Sequence, residues 1–130
     1  MNDQINIPIS PGEVIDKITI LEIKKDFIDD KTKLLNVNNE YELLIGIYIQ
    51  KLKSIAGIEK LKDQLKYINL SLWKIEDDIR ECERKKRFDQ TFIDLARSVY
   101  VTNDERSKIK KKINMLLNSN LIEEKSYKDY

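Results

Sequence analysis

Carboxylates at helical spacing are the side chains with the clearest potential for chemistry. Asp77 and Glu81 are four residues apart, so they share one face of a helix. Carboxylates at this spacing can hold Mg²⁺ against a phosphate, and Asp16, in the pattern Glu13-x-x-Asp16, could add a ligand from a second helix. One hypothesis is therefore a Mg²⁺-dependent hydrolase of small phosphorylated substrates. The alternative is that Asp77, Glu81 and the acidic residues around them form a solvent-exposed helix face, on which they pair with neighbouring arginines and lysines.

Residues 102–108 contain no apolar side chain, although apolar residues recur at helical spacing on either side. Thr102-Asn103-Asp104-Glu105 has the pattern of a capping box, so one interpretation is that a helix ends near Val101 and another begins, or that the stretch is exposed. In the second interpretation polar side chains replace apolar ones and point inward. Such buried clusters more often fix helix register and oligomeric state than perform chemistry. The predicted members are Asn103, Arg106, Asn69, Glu76 and Tyr100.

Further candidates for binding fall into three groups. Lys17, Arg97 and Arg106 could bind a small anionic molecule. Glu22 lies between the two apolar faces of the first predicted helix, which favours a partly buried, paired carboxylate. Trp73 flanks an apolar seam, where tryptophan is either a packing residue or an interface anchor. The candidate ligand-binding set is Lys17, Glu22, Asn69, Trp73, Arg97, Tyr100, Asn103 and Arg106.

Several function classes lack their usual residues. The chain has no histidine, so Ser-His and Cys-His catalytic pairs and most zinc sites are absent, and no glycine-rich loop could cradle phosphates. No catalytic residue is assigned, and no cofactor is predicted except Mg²⁺ under the hydrolase hypothesis. A net charge of +1 gives no electrostatic reason to expect nucleic acid. No apolar run could span a membrane, and a lone cysteine, Cys82, indicates the cytoplasm.

Two helices are predicted in the first half of the chain. Ser10-Pro11-Gly12-Glu13 is a capping box, and the helix it starts should run to about Phe27 or Ile28. Apolar residues fall on two nearly opposite faces of this helix, so we expect it to lie between other helices or against a second subunit. A second helix should follow Asp30 and end at Gly57. Its apolar face is expected to be widened by Ile45, Ile47 and Ile49.

The third and fourth helices are predicted to form a hairpin. Apolar residues from Ile58 to Cys82 follow a heptad pattern typical of a coiled coil, without interruption. Asp89 can cap a fourth helix that carries apolar residues from Phe92 to Leu116, and so short a connection makes the pair antiparallel. The predicted fold is all-α: a long antiparallel helical hairpin within a three- to four-helix bundle. Residues 1–130 are predicted to form one domain. In it, residues 1–9 are an extended arm that could form a single edge strand, and residues 119–130 are a tail that packs back on the bundle.

Five separated segments resemble a family of uncharacterised, small, all-helical bacterial and phage proteins. They are Ser10 to Glu22, Leu72-Trp73 with Glu76-Asp77, Leu95 to Tyr100, Thr102 to Asp104, and Glu123 to Tyr127. This resemblance implies no activity. The acidic pairs are also similar to those of all-α nucleotide pyrophosphohydrolases. Those enzymes combine a Glu-x-x-Glu with a Glu-x-x-Asp, however, and only the second form occurs at Glu13-x-x-Asp16.

The functional prediction is a non-enzymatic helical module that self-associates, most simply as a homodimer, or docks onto a partner helix. The reason for this prediction is that the apolar faces of the predicted helices exceed what a single small bundle would bury. The hydrolase and the anion binder remain as alternatives, and neither nucleic acid nor a membrane is expected as a partner.

Overall fold

The computed structural model describes residues 3–130 and is an all-α bundle of four helices. Helix α1 spans Pro11–Phe27, α2 Lys31–Lys51, α3 Ile58–Arg84 and α4 Gln90–Leu116. No strand occurs between residues 3 and 130, so the arm is not an edge strand. Within the same range, none of the helices combines the length and the apolar character needed to cross a bilayer.

Local capping residues define where three of the helices begin. The Ser10 hydroxyl accepts a hydrogen bond from the Glu13 backbone N–H at 3.3 Å. Asp30 accepts one from the Lys33 N–H at 2.9 Å. Asp89 caps α4 in the same way. Side-chain oxygens satisfy N–H groups that have no partner inside the helix, which is why these starts could be predicted from the sequence.

Helix α1 is the central element of the bundle. It packs against α2, α3 and α4, whereas the backbone of α2 comes close only to that of α1. Ile15, Ile18 and Ile23 of α1 are fully buried, and the core continues into Leu65 of α3 and Ile113 of α4. Both apolar faces of α1 are therefore largely covered within one chain, and the exception is Phe27 in its last turn, which is 53% exposed.

Helices α3 and α4 form the hairpin. Gly57, just before α3, lies beside Leu116 at the end of α4. At the other end, Cys82 and Leu95 line the same cleft, which is the arrangement of an antiparallel pair. Residues 85–89 connect the helices, and the turn includes Lys86 at φ 53°.

Two predictions about α2 are wrong. The helix ends at Lys51, six residues before Gly57, because Leu52 and Ile55 turn inward and pack against the core. Gly57 does have a positive φ of 86°, but it precedes α3 instead of terminating α2. Ile47 and Ile49 do not widen the buried face: Ile45 packs on the core, while the other two are exposed.

The predicted helix break at residues 102–108 is also wrong. Helix α4 is continuous from Gln90 to Leu116. A polar sequence is compatible with an unbroken helix because the backbone keeps its intrahelical hydrogen bonds while the side chains find partners on other elements.

Both chain ends lie outside the helices. Neither residues 3–10 nor the tail of residues 119–130 has regular secondary structure. The tail returns along α4, since Glu123 contacts Lys110 and the Tyr130 hydroxyl donates a 2.6 Å hydrogen bond to Asp104.

Candidate functional site

Asp16 of α1 is the centre of a buried polar network. Its residue is 1% exposed, and its carboxylate accepts two hydrogen bonds from the Arg106 guanidinium of α4. The Nε bond is 3.0 Å long, and Nη2 binds the second carboxylate oxygen. This is the bidentate geometry that suits arginine to carboxylates. The hydrogen bond with Asp16 outweighs burial and raises the pKa of Arg106, so the guanidinium stays charged.

Two amides complete the surroundings of this ion pair. The Asn69 side chain of α3 donates 2.9 Å hydrogen bonds to the Asp16 carboxylate and to the Thr19 hydroxyl. Thr19 in turn donates to the Asp16 backbone carbonyl at 2.8 Å. Asn103 accepts a 3.2 Å hydrogen bond from Arg106. The network thus ties α1, α3 and α4 together with its buried carboxylate satisfied, as burial of a charge requires.

Lys110 extends the network toward the C-terminal tail. Its side chain is only 9% exposed, and its ammonium lies 2.6 Å from Glu13, 3.1 Å from Glu123 and 3.8 Å from Asp16. Burial lowers the pKa of Lys110, but hydrogen bonds to Glu13 and Glu123 raise it by a larger amount, so the lysine stays charged. Hydrogen bonding to Lys110 is the main reason that the pKa of Glu123 falls to about 2.

A close backbone approach positions these side chains. The Gly12 N–H donates a 2.8 Å hydrogen bond to the Asn114 side chain, so the first turn of α1 lies against the last turns of α4. A Cβ at Gly12 would stand 2.7 Å from the carbonyl oxygen of Lys110. Glycine is required here by the contact between two helix backbones.

A second ionic cluster surrounds Glu22, which is partly buried and paired as expected from its place between two apolar faces. Lys62 and Lys66 of α3 each lie 3.2 Å from its carboxylate, and the Tyr41 hydroxyl of α2 donates a 3.1 Å hydrogen bond. Burial raises the pKa of Glu22, but the two ammonium groups lower it by more. Burial and Glu22 raise the pKa of Tyr41 to about 12. The cluster links α1, α2 and α3 through one carboxylate.

The structure brings together part of the predicted ligand-binding set. Asn69, Asn103 and Arg106 belong to one network, but its centre is Asp16, which had been considered only as a metal ligand. Glu76 is not a member, because it pairs on the surface with Arg80 at 3.2 Å.

The remaining candidates lie elsewhere. Tyr100 packs edge-on against the ring of Tyr130, with centroids 5.2 Å apart. Trp73 stacks on Phe27 at 5.8 Å. Lys17 and Arg97 are both exposed, and Lys17 borders the groove under the N-terminal arm. A binding role for any of these residues stays a prediction.

The three proposed magnesium ligands are engaged differently. Asp16 is held by Arg106 and Asn69, Glu81 pairs with Arg84 and with Lys85 at 3.5 Å, and Asp77 is exposed. Over the part of the chain that the structure describes, no three His, Cys, Asp or Glu side chains are grouped so as to hold a metal ion. The magnesium role stays a prediction without a geometric argument in its favour.

Sequence reasoning missed Lys110, Thr19, Asn114 and Glu123. The signal for Lys110 was present in the heptad register of α4. Steps of four and three from Phe92 reach Ala96, Val99, Asn103, Arg106, Lys110, Ile113 and Leu117. Had the register been followed through the polar stretch, Lys110 would have been placed on the inward face. For Glu123 no local signal exists, since its partner is contributed by a separate element.

Fold and site together define a class: a four-helix all-α protein whose central helix is joined to a helical hairpin by buried ion pairs. Within that class, the chain belongs to the Family of unknown function (DUF6165), which matches residues 5–130. No curated protein matches the chain, and neither does any solved structure.

Proposed function

We propose that this protein is a non-enzymatic helical module that forms a homodimer through its N-terminal arm and the outer face of α2. The supporting observation is a set of five exposed apolar side chains around one groove, here called the arm patch. The arm patch consists of Ile5, Ile7 and Ile9 of the arm with Leu43 and Ile47 of α2.

Exposure within the arm patch follows from its geometry. The three isoleucines of the arm occupy alternate positions in the sequence and all line the same groove. Ile5 is 86% exposed and Ile7 67% exposed. The arm, α1 and α2 border a groove of about 560 Å³ that Ile47 also lines, and Leu43 lies one helical turn before Ile47. Large apolar patches on a protein surface mark interaction sites more often than they remain free.

The total surface supports a second copy as the occupant. The chain exposes 9512 Å², whereas a compact monomer of 15.4 kDa would expose about 7,200 Å². The excess exceeds the roughly 800 Å² that each partner contributes to a standard interface. Part of it belongs to the extended arm and the tail. In a two-fold dimer the arm patch of one copy would contact the arm patch of the other. Because each copy has a net charge of only +1, electrostatic repulsion between the two copies is weak.

Sedimentation or light scattering at micromolar concentration tests the proposal with a matched pair of variants. Ile47 and Ile93 are both helical isoleucines, 43% and 47% exposed, but Ile93 lies on α4 outside the arm patch. We expect the wild type to have twice the mass of 15.4 kDa. Ile47→Asp should be monomeric, because a desolvated carboxylate at an apolar interface is strongly unfavourable, while Ile93→Asp should stay dimeric. A monomeric wild type, or a dimer broken only by Ile93→Asp, contradicts the proposal.

A further inference from the structure

The cleft beside Lys110 is the feature of the molecule that self-association does not explain. It has a volume of about 170 Å³ and lies between α4 and the C-terminal tail. Lys108, Lys110 and Lys111 line it from α4, and Glu123 and Glu124 from the tail. Lysines supply most of its charge, and the tail supplies the carboxylates that face them.

Lys110 makes this cleft more than a group of surface lysines. The Lys110 side chain is only 9% exposed, and a charge that is buried to this degree needs an oxyanion partner. Asp16 is bound mainly by Arg106 and lies 3.8 Å from the Lys110 ammonium, so Glu13, at 2.6 Å, is the nearest carboxylate that the helices offer to Lys110. Glu123 provides the additional oxyanion, at 3.1 Å.

The tail that carries Glu123 is held mainly by polar contacts. Glu124 lies 3.8 Å from Lys111, and the Tyr130 hydroxyl binds Asp104. Leu121 and Ile122 are exposed, so the tail contributes little buried apolar surface around these contacts. Exposed contacts of this kind contribute at most about 1 kcal/mol each, so the pair of Glu123 with Lys110 is the main contact that a competing anion has to replace.

We infer that the cleft beside Lys110 is a binding site for a small phosphate-bearing molecule, and that Glu123 occupies it as an internal ligand. Removing the tail carboxylates leaves Lys108, Lys110 and Lys111 around the cleft, and of these only Lys110 is paired with Glu13, so a surplus of positive charge remains that favours a dianion. Lysine binds phosphate as a point charge without requiring the fixed fork of arginine, and the position of Glu123 shows where an oxyanion reaches Lys110. The inference is independent of the dimer proposal.

Calorimetric titration of the full chain with inorganic phosphate tests this site, with sodium chloride at equal ionic strength as the blank. Glu123→Gln removes the internal competitor without removing a lysine. If the tail covers the site nine-tenths of the time, the apparent affinity for phosphate should rise about tenfold in this variant. Glu83→Gln, which removes an exposed carboxylate on α3, is the matched control and should bind phosphate as the wild type does.

Lys111→Gln in the Glu123→Gln background locates the binding. Lys111 is 52% exposed, so its replacement should leave the fold intact, whereas replacing Lys110 could prevent folding. We expect the gained affinity to fall. The inference is overturned if phosphate titrated to about 10 mM, enough to detect a Kd near 1 mM, gives no more heat in Glu123→Gln than in Glu83→Gln. It is equally overturned if Lys111→Gln leaves the affinity unchanged.

Discussion

Proteins usually bury apolar side chains and expose charged ones, and two regions of this molecule do the opposite. The junction between α1 and α4, formed around Asp16 and Lys110, buries charged side chains, whereas the arm patch exposes isoleucines. At the junction, Asp16 and Lys110 are nearly inaccessible, yet each has an oppositely charged partner. On the arm patch, Ile5 and Ile7 are among the most exposed apolar residues of the chain. The buried charges are satisfied inside one chain, and the exposed isoleucines are not. The proposed dimer therefore concerns the second region and not the first.

Both regions depend on α1 being covered from two sides. The hairpin covers one face of α1 through the ion pairs and Leu65, while α2 covers the other through Tyr48. Because α2 uses only its inner face for this contact, its outer face with Ile47 stays free. The packing of α1 inside the chain thus accounts for most of its two apolar faces, and the exposed apolar surface on which the dimer proposal rests lies on α2 and the arm.

Removing the central carboxylate should have the largest effect on the comparison. In Asp16→Ala, Arg106 and Asn69 lose their shared acceptor, and breaking a buried ion pair costs about 3–5 kcal/mol. We expect urea denaturation to show this loss of unfolding free energy. Glu81→Ala removes a carboxylate with two exposed partners, Arg84 and Lys85, at the end of α3 and should cost no more than about 1 kcal/mol. Equal losses in the two variants would mean that the buried network has no special weight.

Two glycine substitutions should act with opposite sign. The Cβ of Gly12→Ala would stand 2.7 Å from the Lys110 carbonyl, and overpacking of this kind costs about 1–3 kcal/mol. Gly46→Ala places its Cβ where nothing lies within 4 Å and should stabilise α2 by up to about 1 kcal/mol, because alanine favours helix. Thermal unfolding at low protein concentration measures both. A neutral Gly12→Ala would show that α1 and α4 can separate without loss.

Acid should weaken the junction by the smallest amount. The pKa of Glu123 is about 2 in the folded protein and 4.5 ordinarily, so the carboxylate stabilises the fold above pH 4.5. That contribution is lost progressively as the pH falls from 4.5 through 2. We expect Glu123→Gln to reduce the steepness of the wild-type stability curve across this interval. Glu83→Gln, on an exposed pair with Lys86, should change it less. Superimposable stability curves for the wild type and Glu123→Gln would show that the tail does not stabilise the junction between α1 and α4.

Much of the fold could be predicted from the sequence because its signals are local. Ser10, Asp30 and Asp89 cap helices within three residues of themselves, and the heptad of α3 is a property of one continuous segment. The end of α2 could not be predicted in this way. Gly57 is a suitable terminating residue, but the packing of Leu52 and Ile55 against the core ends the helix earlier.

The candidate site was predicted only in part for the same reason. Asn103 and Arg106 could be placed on the inward face of α4 from their spacing, since a helix face is a local property. Their partner Asp16 is separated from Arg106 by 90 residues. Nothing local distinguishes it from other carboxylates of α1, such as Glu13 and Glu22.

The amino-acid sequence by itself determined where helices form and which residues share a face, because caps and periodicity act over a few residues. Tertiary structure alone decided which carboxylate each cation binds and which apolar face of α2 remains exposed. Those outcomes depend on distances between separate helices: Glu123 reaches Lys110 only because the tail returns along α4, and Ile47 is exposed only because α1 already covers the other side of its helix.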